Sequence, residues 1–462
     1  MRGIVSWGAY LPYWRLDRAQ IAPVIGQGGG KGTRTVASYD EDPSTMAVEA
    51  GRLALGPGIP RPTQLLFGTT NPAYADKTNA TVVHAALRLD EASAAFDLGL
   101  SARSAMGGLL LALRGAGTSL VVGSDIRTGL PGSSDEANGG DAAAAVVIGD
   151  GEAVVAEFLG AGSTTAEIVE RWRIPGDIRP RTWDDKFSET ELVPLGTAAW
   201  KAALADAGVG ADQVALVAVA APTTRLAGAI AARLGGVKVV DNLAGSVGAT
   251  GAAQPGLQLA ALLEQAEANQ VIALVSLADG ADVIVLRTTP GFASRTRTTI
   301  AAQLASGGSV PYGKFLAWRE VLRVEPPRRP EPQRVSASAA ARSTDWKFGF
   351  VGTRETGTGI VHLPPQRVSA DGSATDEMEP VPMAEVNGTI VTFTIDRVAY
   401  SPSPPIVFAV VDFDGGGRFP VELCDCRSDE VTIGGRVEMT FRRLGTTDGL
   451  PNYFWKARLV RS

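Results

Sequence analysis

PLGTAAWKAALADAGVGADQVALVAVA occupies residues 194–220. Its first fifteen residues are rich in alanine and leucine, which predicts a helix over 194–208. VALVAVA (214–220) is a short β-branched run, the mark of a strand buried on both faces. The same alternation continues outward in both directions. Further strands are expected at QLLFGTT (64–70), SLVVGS (119–124), AAAVVIG (143–149) and VIALVSLA (271–278). Further helices are expected at STMAVEAGRLAL (44–55), ATVVHAALRL (80–89), MGGLLLALRG (106–115) and GLQLAALLEQAEA (256–268). Residues 1–290 therefore read as α/β, with strands covered by helices. A strand, an alanine-rich helix and a further strand occur before residue 160 and again after 190, which suggests two similar halves packed together.

The chain has 462 residues, too many for one compact core. Its composition changes after residue 290. Residues 291–345 carry one helical segment near 311–323 and then PPRRPEPQRVSASAAARS, a tether rich in proline, arginine and serine. Residues 346–462 lose the alanine-rich helices and read as short strands with glycine-rich turns, a small closed barrel.

With 45% hydrophobic and 20% charged residues and a net charge of −6, the chain is an ordinary globular one. The mildly acidic balance gives no support for a nucleic-acid partner. No run approaches the roughly 18 apolar residues of a membrane span. The N-terminus MRGIVSWGAYLPYWRL reads as a strand and a turn rather than a signal peptide, so a cytoplasmic protein is expected. The only cysteines are Cys424 and Cys426, and the only histidines are His84 and His362. A Cys–His mechanism within residues 1–290 is excluded, because that stretch has no cysteine. GQGGGKGT (26–33) fails the Walker spacing, since Ile25 stands where the first glycine belongs, and reads as a surface loop.

SYDEDPSTMAVEAGRLAL (38–55), GTTNPAYADKTNATVVHAAL (68–87), VVGSDIRTGLPG (121–132), GDAAAAVVIG (140–149), ERWRIPGDIRPRTWDDKF (170–187), the segment 214–234 and SVGATGAAQPGLQLAALLE (246–264) follow one another in a familiar order. Together they resemble archaeal-type HMG-CoA synthases of the thiolase superfamily over nearly all of 1–290. YGKFLAWREVL (312–322), WKFGFVGTR (346–354), VHLPPQRV (361–368), FAVVDFDGGGRFPVEL (408–423) and NYFWKARLV (452–460) resemble the OB-fold domain, led by a zinc ribbon, that accompanies thiolase-type enzymes. The resemblance implies a duplicated five-layer α/β thiolase-like fold at 1–290, a linker with a helix at 291–345, a degenerate zinc-ribbon segment at 346–378 and an all-β OB-fold barrel at 379–462.

The resemblance also places the family's functional positions, and this chain departs from each. Ala102 in DLGLSARSAMGG stands at the nucleophilic cysteine, Thr70 at the acid/base glutamate, Ala220 at the histidine and Ala249 at the asparagine that polarises a thioester carbonyl. The four ribbon cysteines fall at Glu355, Thr358, Ser369 and Gly372, so no zinc is expected there. No cofactor is required beyond a CoA thioester as substrate.

Polar residues remain near the implied pocket. Thiolase-like aldolases that pair with this OB-fold module also lack the cysteine and can use a tyrosine. Tyr74 is the candidate acid/base on that reading, with Arg103 and Ser104 as further catalytic candidates and Lys77, Asp125 and Arg127 as substrate binders. On the plainer reading, Tyr74 packs in a loop and Arg103 pairs with Asp97 or Asp125. The expected activity is aldol or retro-aldol chemistry on an acyl-CoA. The alternatives are an inactive partner of an active thiolase-like paralogue and an HMG-CoA-synthase-like acyltransferase. A homodimer or a hetero-oligomer with such a paralogue is expected by analogy.

Overall fold

The computed structural model describes residues 1–292, 298–325, 328–330 and 332–461. The chain divides into two compact units. The first comprises Met1–Ala37, Met46–Thr81 and Asp90–Tyr312, and the second Ser38–Thr45, Val82–Leu89 and Gly313–Ser462.

Ten strands form the large sheet of the first unit. The first five are β1 (Arg2–Tyr10), β2 (Gln64–Gly68), β3 (Ala94–Leu98), β4 (Ser119–Asp125) and β5 (Ala142–Asp150). The second five are β6 (Ala156–Thr165), β7 (Val214–Ala220), β8 (Lys238–Val239), β9 (Val271–Leu277) and β10 (Gly280–Thr288). The spatial order is β8-β7-β9-β10-β6-β1-β5-β4-β2-β3. Counted from the free edge inward, each half runs third, second, fourth, fifth, first. The ladders repeat as well. β2 is parallel to β3 and β4 as β7 is to β8 and β9, and the fifth strand in each half is antiparallel to the fourth and first. Two similar halves are thus a fact of the topology. They meet in a short β1–β6 ladder at Gly3↔Glu157 and Ile4↔Ala156.

The helices explain why the strands read as apolar runs. Helix α1 (Ser104–Arg114) packs on β2, β4 and β5, and α2 (Asp185–Ala207) covers β6, β9 and β10. Helix α3 (Gln254–Gln265) touches β1, β4, β5, β7 and β9. It therefore lies in the middle layer between the halves, and Gln254 to Leu263 are all buried. Gly160 and Gly162 share one face of β6, and a Cβ on either would lie 2.5 Å from Ala207 N or 2.2 Å from Ala199 O. Only glycine lets α2 lie that close to the strand. The same two glycines weaken the strand signal of AEFLGAGSTT, so β6 was not among the expected strands.

Glu264, in the last turn of α3, accepts from the Ile300 amide at 3.1 Å, and burial pushes its pKa up from 4.5 to about 7. A raised folded pKa contributes stability that is complete below pH 4.5 and is lost as pH rises through about 7. Allowing for solvent that reaches the group, Glu264→Gln should remove about 1–2 kcal/mol of stability loss between pH 5 and 8. Denaturant melts of both proteins across that range check it.

The second unit contains a closed five-stranded barrel of β11 (Gly388–Asp396), β12 (Ile406–Phe413), β13 (Arg418–Leu423), β14 (Arg436–Thr447) and β15 (Leu450–Leu459), in the order β11-β12-β13-β15-β14. This is an OB-fold. Phe350, Phe441, Tyr453 and Trp455 fill its core. Ser38–Thr45 belongs to the same unit and supplies buried acids. Arg442 pairs with Glu41 and Asp425, and Lys456 pairs with Asp40 at 2.8 Å and with Glu422. Tyr453 donates to Asp42 at 2.7 Å. Burial alone would lower the pKa of Lys456, but Asp40, Tyr39 and Glu422 outweigh it and hold it well above the ordinary value.

Candidate functional site

The repeated topology orders the four positions that the resemblance singles out, Thr70, Ala102, Ala220 and Ala249. Thr70 follows the second strand of the first half, and Ala220 ends the second strand of the second half. Ala102 precedes central helix α1, and Ala249 precedes central helix α3. The positions form two pairs related by the duplication, held by one threonine and three alanines.

Asp125, at the end of β4, organises the surroundings of Thr70. It is fully buried and accepts from Thr70 N at 3.0 Å, Thr70 Oγ1 at 2.8 Å, Thr69 Oγ1 at 3.3 Å and Ala252 N at 3.0 Å. It also pairs with Arg127 at 3.3 Å. A Cβ on Gly123 would lie 2.4 Å from Ala252 O, so glycine there lets the turn before α3 close on β4. Asp125 is thus a clasp joining the ends of β2 and β4 to that turn. The Ala249 main chain bonds Asn138 O and the Gly140 amide. Ala220 is buried and pairs with Ser276 across to β9.

The other sequence candidates fall into two groups. Arg103 grips Asp282 with Nε at 2.7 Å and Nη2 at 3.1 Å, and it also bonds the carbonyls of Asp279 and Thr164. It is ion-paired, and its partner is Asp282 rather than Asp97 or Asp125. Ser104 Oγ donates to Gly99 O at 3.0 Å. Tyr74 and Lys77 share the loop after Thr70. The Tyr74 amide donates to Asn79 Oδ1 at 2.9 Å, and Asn79 Nδ2 donates to Asp97 at 2.9 Å. Lys77 Nζ lies 4.9 Å from the Tyr74 ring centroid. Asp97 also caps the helix that starts at Ala80.

Sequence reasoning missed four residues. Buried Arg34 pairs with buried Asp141 at 3.2 Å, and Asp141 accepts the Arg127 amide at 2.8 Å, which fixes the backbone that carries Arg127. Arg171 and Arg173 come from ERWRIPG. Arg171 pairs with Asp135 at 2.9 Å, and Arg173 donates to Thr70 O. Two arginines at i and i+2 were the available signal.

The segment expected as a degenerate zinc ribbon holds a three-stranded sheet of Val351–Glu355, Val361–His362 and Met378–Pro382. Glu355 accepts from the Gly357 amide at 2.7 Å and from both the amide and hydroxyl of Thr358. His362 Nε2 accepts from the Ala370 amide at 2.9 Å. Side-chain acceptors thus fasten the first turn, and Thr358, Ser369 and Gly372 supply no thiolate, so the residues present do not fit zinc. Among the described residues no cluster of three or more His, Cys, Asp or Glu could hold a metal. Cys424 is buried, with its thiol pKa raised well above the ordinary value, and burial pushes Cys426 up to about 12. Neutral thiols are poor nucleophiles and ligands.

The duplicated α/β core is a thiolase-type fold. A solved HMG-CoA synthase complexed with CoA superposes with a TM-score of 0.61 at 18% identity, covering 68% of this chain and 89% of that one. Within that fold the likeness in sequence is to archaeal hydroxymethylglutaryl-CoA synthases. That of Aeropyrum pernix is 33% identical over 185 residues, 37% of this chain and 51% of the relative. That of Caldivirga maquilingensis is 27% identical over 350 residues, 70% of this chain and 98% of the relative. The chain thus spans about half the length of the Aeropyrum relative and nearly all of the Caldivirga one. Residues 380–442 match the family described as ChsH2, C-terminal OB-fold domain. The chain is thus similar to these synthases over its α/β part and to that OB-fold family over its barrel. No helix among the described residues is long and apolar enough to cross a membrane.

Proposed function

We propose that the chain acts on acyl-CoA thioesters and makes or breaks a carbon–carbon bond by aldol-type chemistry, with no acyl-cysteine. The observation that carries this is the methyl group of Ala102 ahead of α1, in a stretch with no cysteine before Cys424. The CoA-bound neighbour supports a thioester ligand.

In the cleavage direction a base takes the β-hydroxyl proton. The Cα–Cβ electron pair passes to the thioester as an enolate, and Cβ departs as a carbonyl. The enolate then regains a proton at Cα, so atoms and charge balance. Tyr74 is our acid/base, and Lys77 beside its ring brings a positive charge to substrate. We assign Arg103 and Ser104 to holding the first turn of α1, because their donors are engaged by Asp282, Asp279 O, Thr164 O and Gly99 O. Purified protein given a series of β-hydroxyacyl-CoAs should release a shorter acyl-CoA and an aldehyde or ketone in equal amounts. Absence of any product from the protein alone would sink this reading.

A second reading has its own support. Strand β3 ends the sheet, and Phe96 on it and Leu100 just beyond it are 54% and 61% exposed. Such an edge fits pairing with a second thiolase-type chain, either another copy or an active paralogue. Activity that requires a cysteine-bearing paralogue would favour the partner role.

A further inference from the structure

Two guanidinium groups contact Thr70, and a third, that of Arg171, lies close enough to Arg127 to feel its charge. Arg127 Nη1 donates to Thr70 Oγ1 at 3.1 Å, Arg173 donates to Thr70 O and to Asp177 O at 3.2 Å, and Arg171 pairs with Asp135. Nearby carboxylates are already engaged, and buried Glu170 is a further one whose charge acts on Arg171. Asp125 accepts from Thr69, Thr70 and Ala252 besides Arg127, and Asp135 serves Arg171 alone among the three. Arg173 bonds only carbonyl oxygens among the described residues. The side chains of Arg127 and Arg171 are 15% and 20% exposed, so they are largely out of water yet reachable. Burial first, and then the charge of Arg127, lower the pKa of Arg171. Arg173 is thus the one of the three whose hydrogen bonds reach no carboxylate among the described residues, and a partly buried guanidinium without a counter-charge is costly unless an anion completes it.

We propose that Arg127, Arg171 and Arg173 form a receptor for an oxyanion of the substrate, placed beside Thr70. The planar guanidinium fork fits a carboxylate or a phosphate and favours neither an amide nor a hydroxyl. The oxyanion has two sources, a carboxylate at the far end of the acyl group or a phosphate of CoA. This inference rests on the thioester reading above and narrows it to acidic ligands.

The test is calorimetric titration of the full chain with glutaryl-CoA, with valeryl-CoA (the same five-carbon chain without the carboxylate), and with the 3′-dephospho form of each. Glutaryl-CoA should bind at least about tenfold tighter than valeryl-CoA. That ratio should fall towards one in Arg173→Met and Arg127→Met and recover in part in Arg173→Lys. A tenfold loss on removing the 3′-phosphate instead, abolished by the same variants, assigns the arginines to the phosphate. Affinities indifferent to both groups, or preferences unchanged by the variants, overturn the receptor while leaving thioester binding intact. Should no thioester bind, the thioester reading fails. Free glutarate then decides the arginines, since thermal stabilisation of the wild type but not of Arg173→Met retains the anion site, and none removes it.

Discussion

Replacing Arg442 with methionine is expected to destabilise the barrel-containing unit by about 3–5 kcal/mol, the range for removing one member of a buried ion cluster. Arg442 and Glu41 are wholly buried, and Asp425 is 1% exposed. Methionine preserves most of the volume but leaves two carboxylates without their cation. The desolvation penalty then falls on Glu41 and Asp425, which must take up protons or open the structure to water. The triple variant Arg442→Met, Glu41→Gln, Asp425→Asn should recover most of the loss, because uncompensated charge rather than lost packing is the cause. Scanning calorimetry of the three proteins checks both steps. A single variant within about 1 kcal/mol of wild type would mean that water reaches the cluster.

Tyr74→Phe is expected to lower kcat for β-hydroxyacyl-CoA cleavage by about 10²–10⁴, the usual contribution of a positioned acid/base. KM should stay within a few-fold, since the ring and its contact with Lys77 survive and only the hydroxyl goes. Stopped assays with each purified variant separate the two constants. A KM rise with kcat unchanged would reassign Tyr74 to binding. Arg103→Lys is the useful contrast. Its bidentate grip on Asp282 would be lost, so stability should fall along with activity.

The alternation of 194–220 carried most of the fold. Strands expected at 64–70, 119–124, 143–149, 214–220 and 271–278 appear at Gln64–Gly68, Ser119–Asp125, Ala142–Asp150, Val214–Ala220 and Val271–Leu277. These strands are buried on both faces, so composition alone marks them. The duplication was visible only as an order of elements, and its repeated ladders depend on contacts that no local pattern encodes. Asp125 and Arg127 could be picked out as polar residues near Thr70, but their clasp could not. It joins residues 55 and 127 positions apart. The pairing of DEDPST with barrel residues about 400 positions later was illegible for the same reason. Arg103 could be weighed between catalysis and an ion pair, yet its partner Asp282 lies 179 positions away. The lack of any cysteine before Cys424 was the clearest signal, because the absence of a residue type needs no geometry.

Intact-protein mass measurement after rapid quenching on a β-hydroxyacyl-CoA bears most directly on chemistry without a covalent acyl group. The mass should remain that of the free chain at every time point while the shorter acyl-CoA accumulates. A stable acyl increment that maps to residues 1–292 would contradict it.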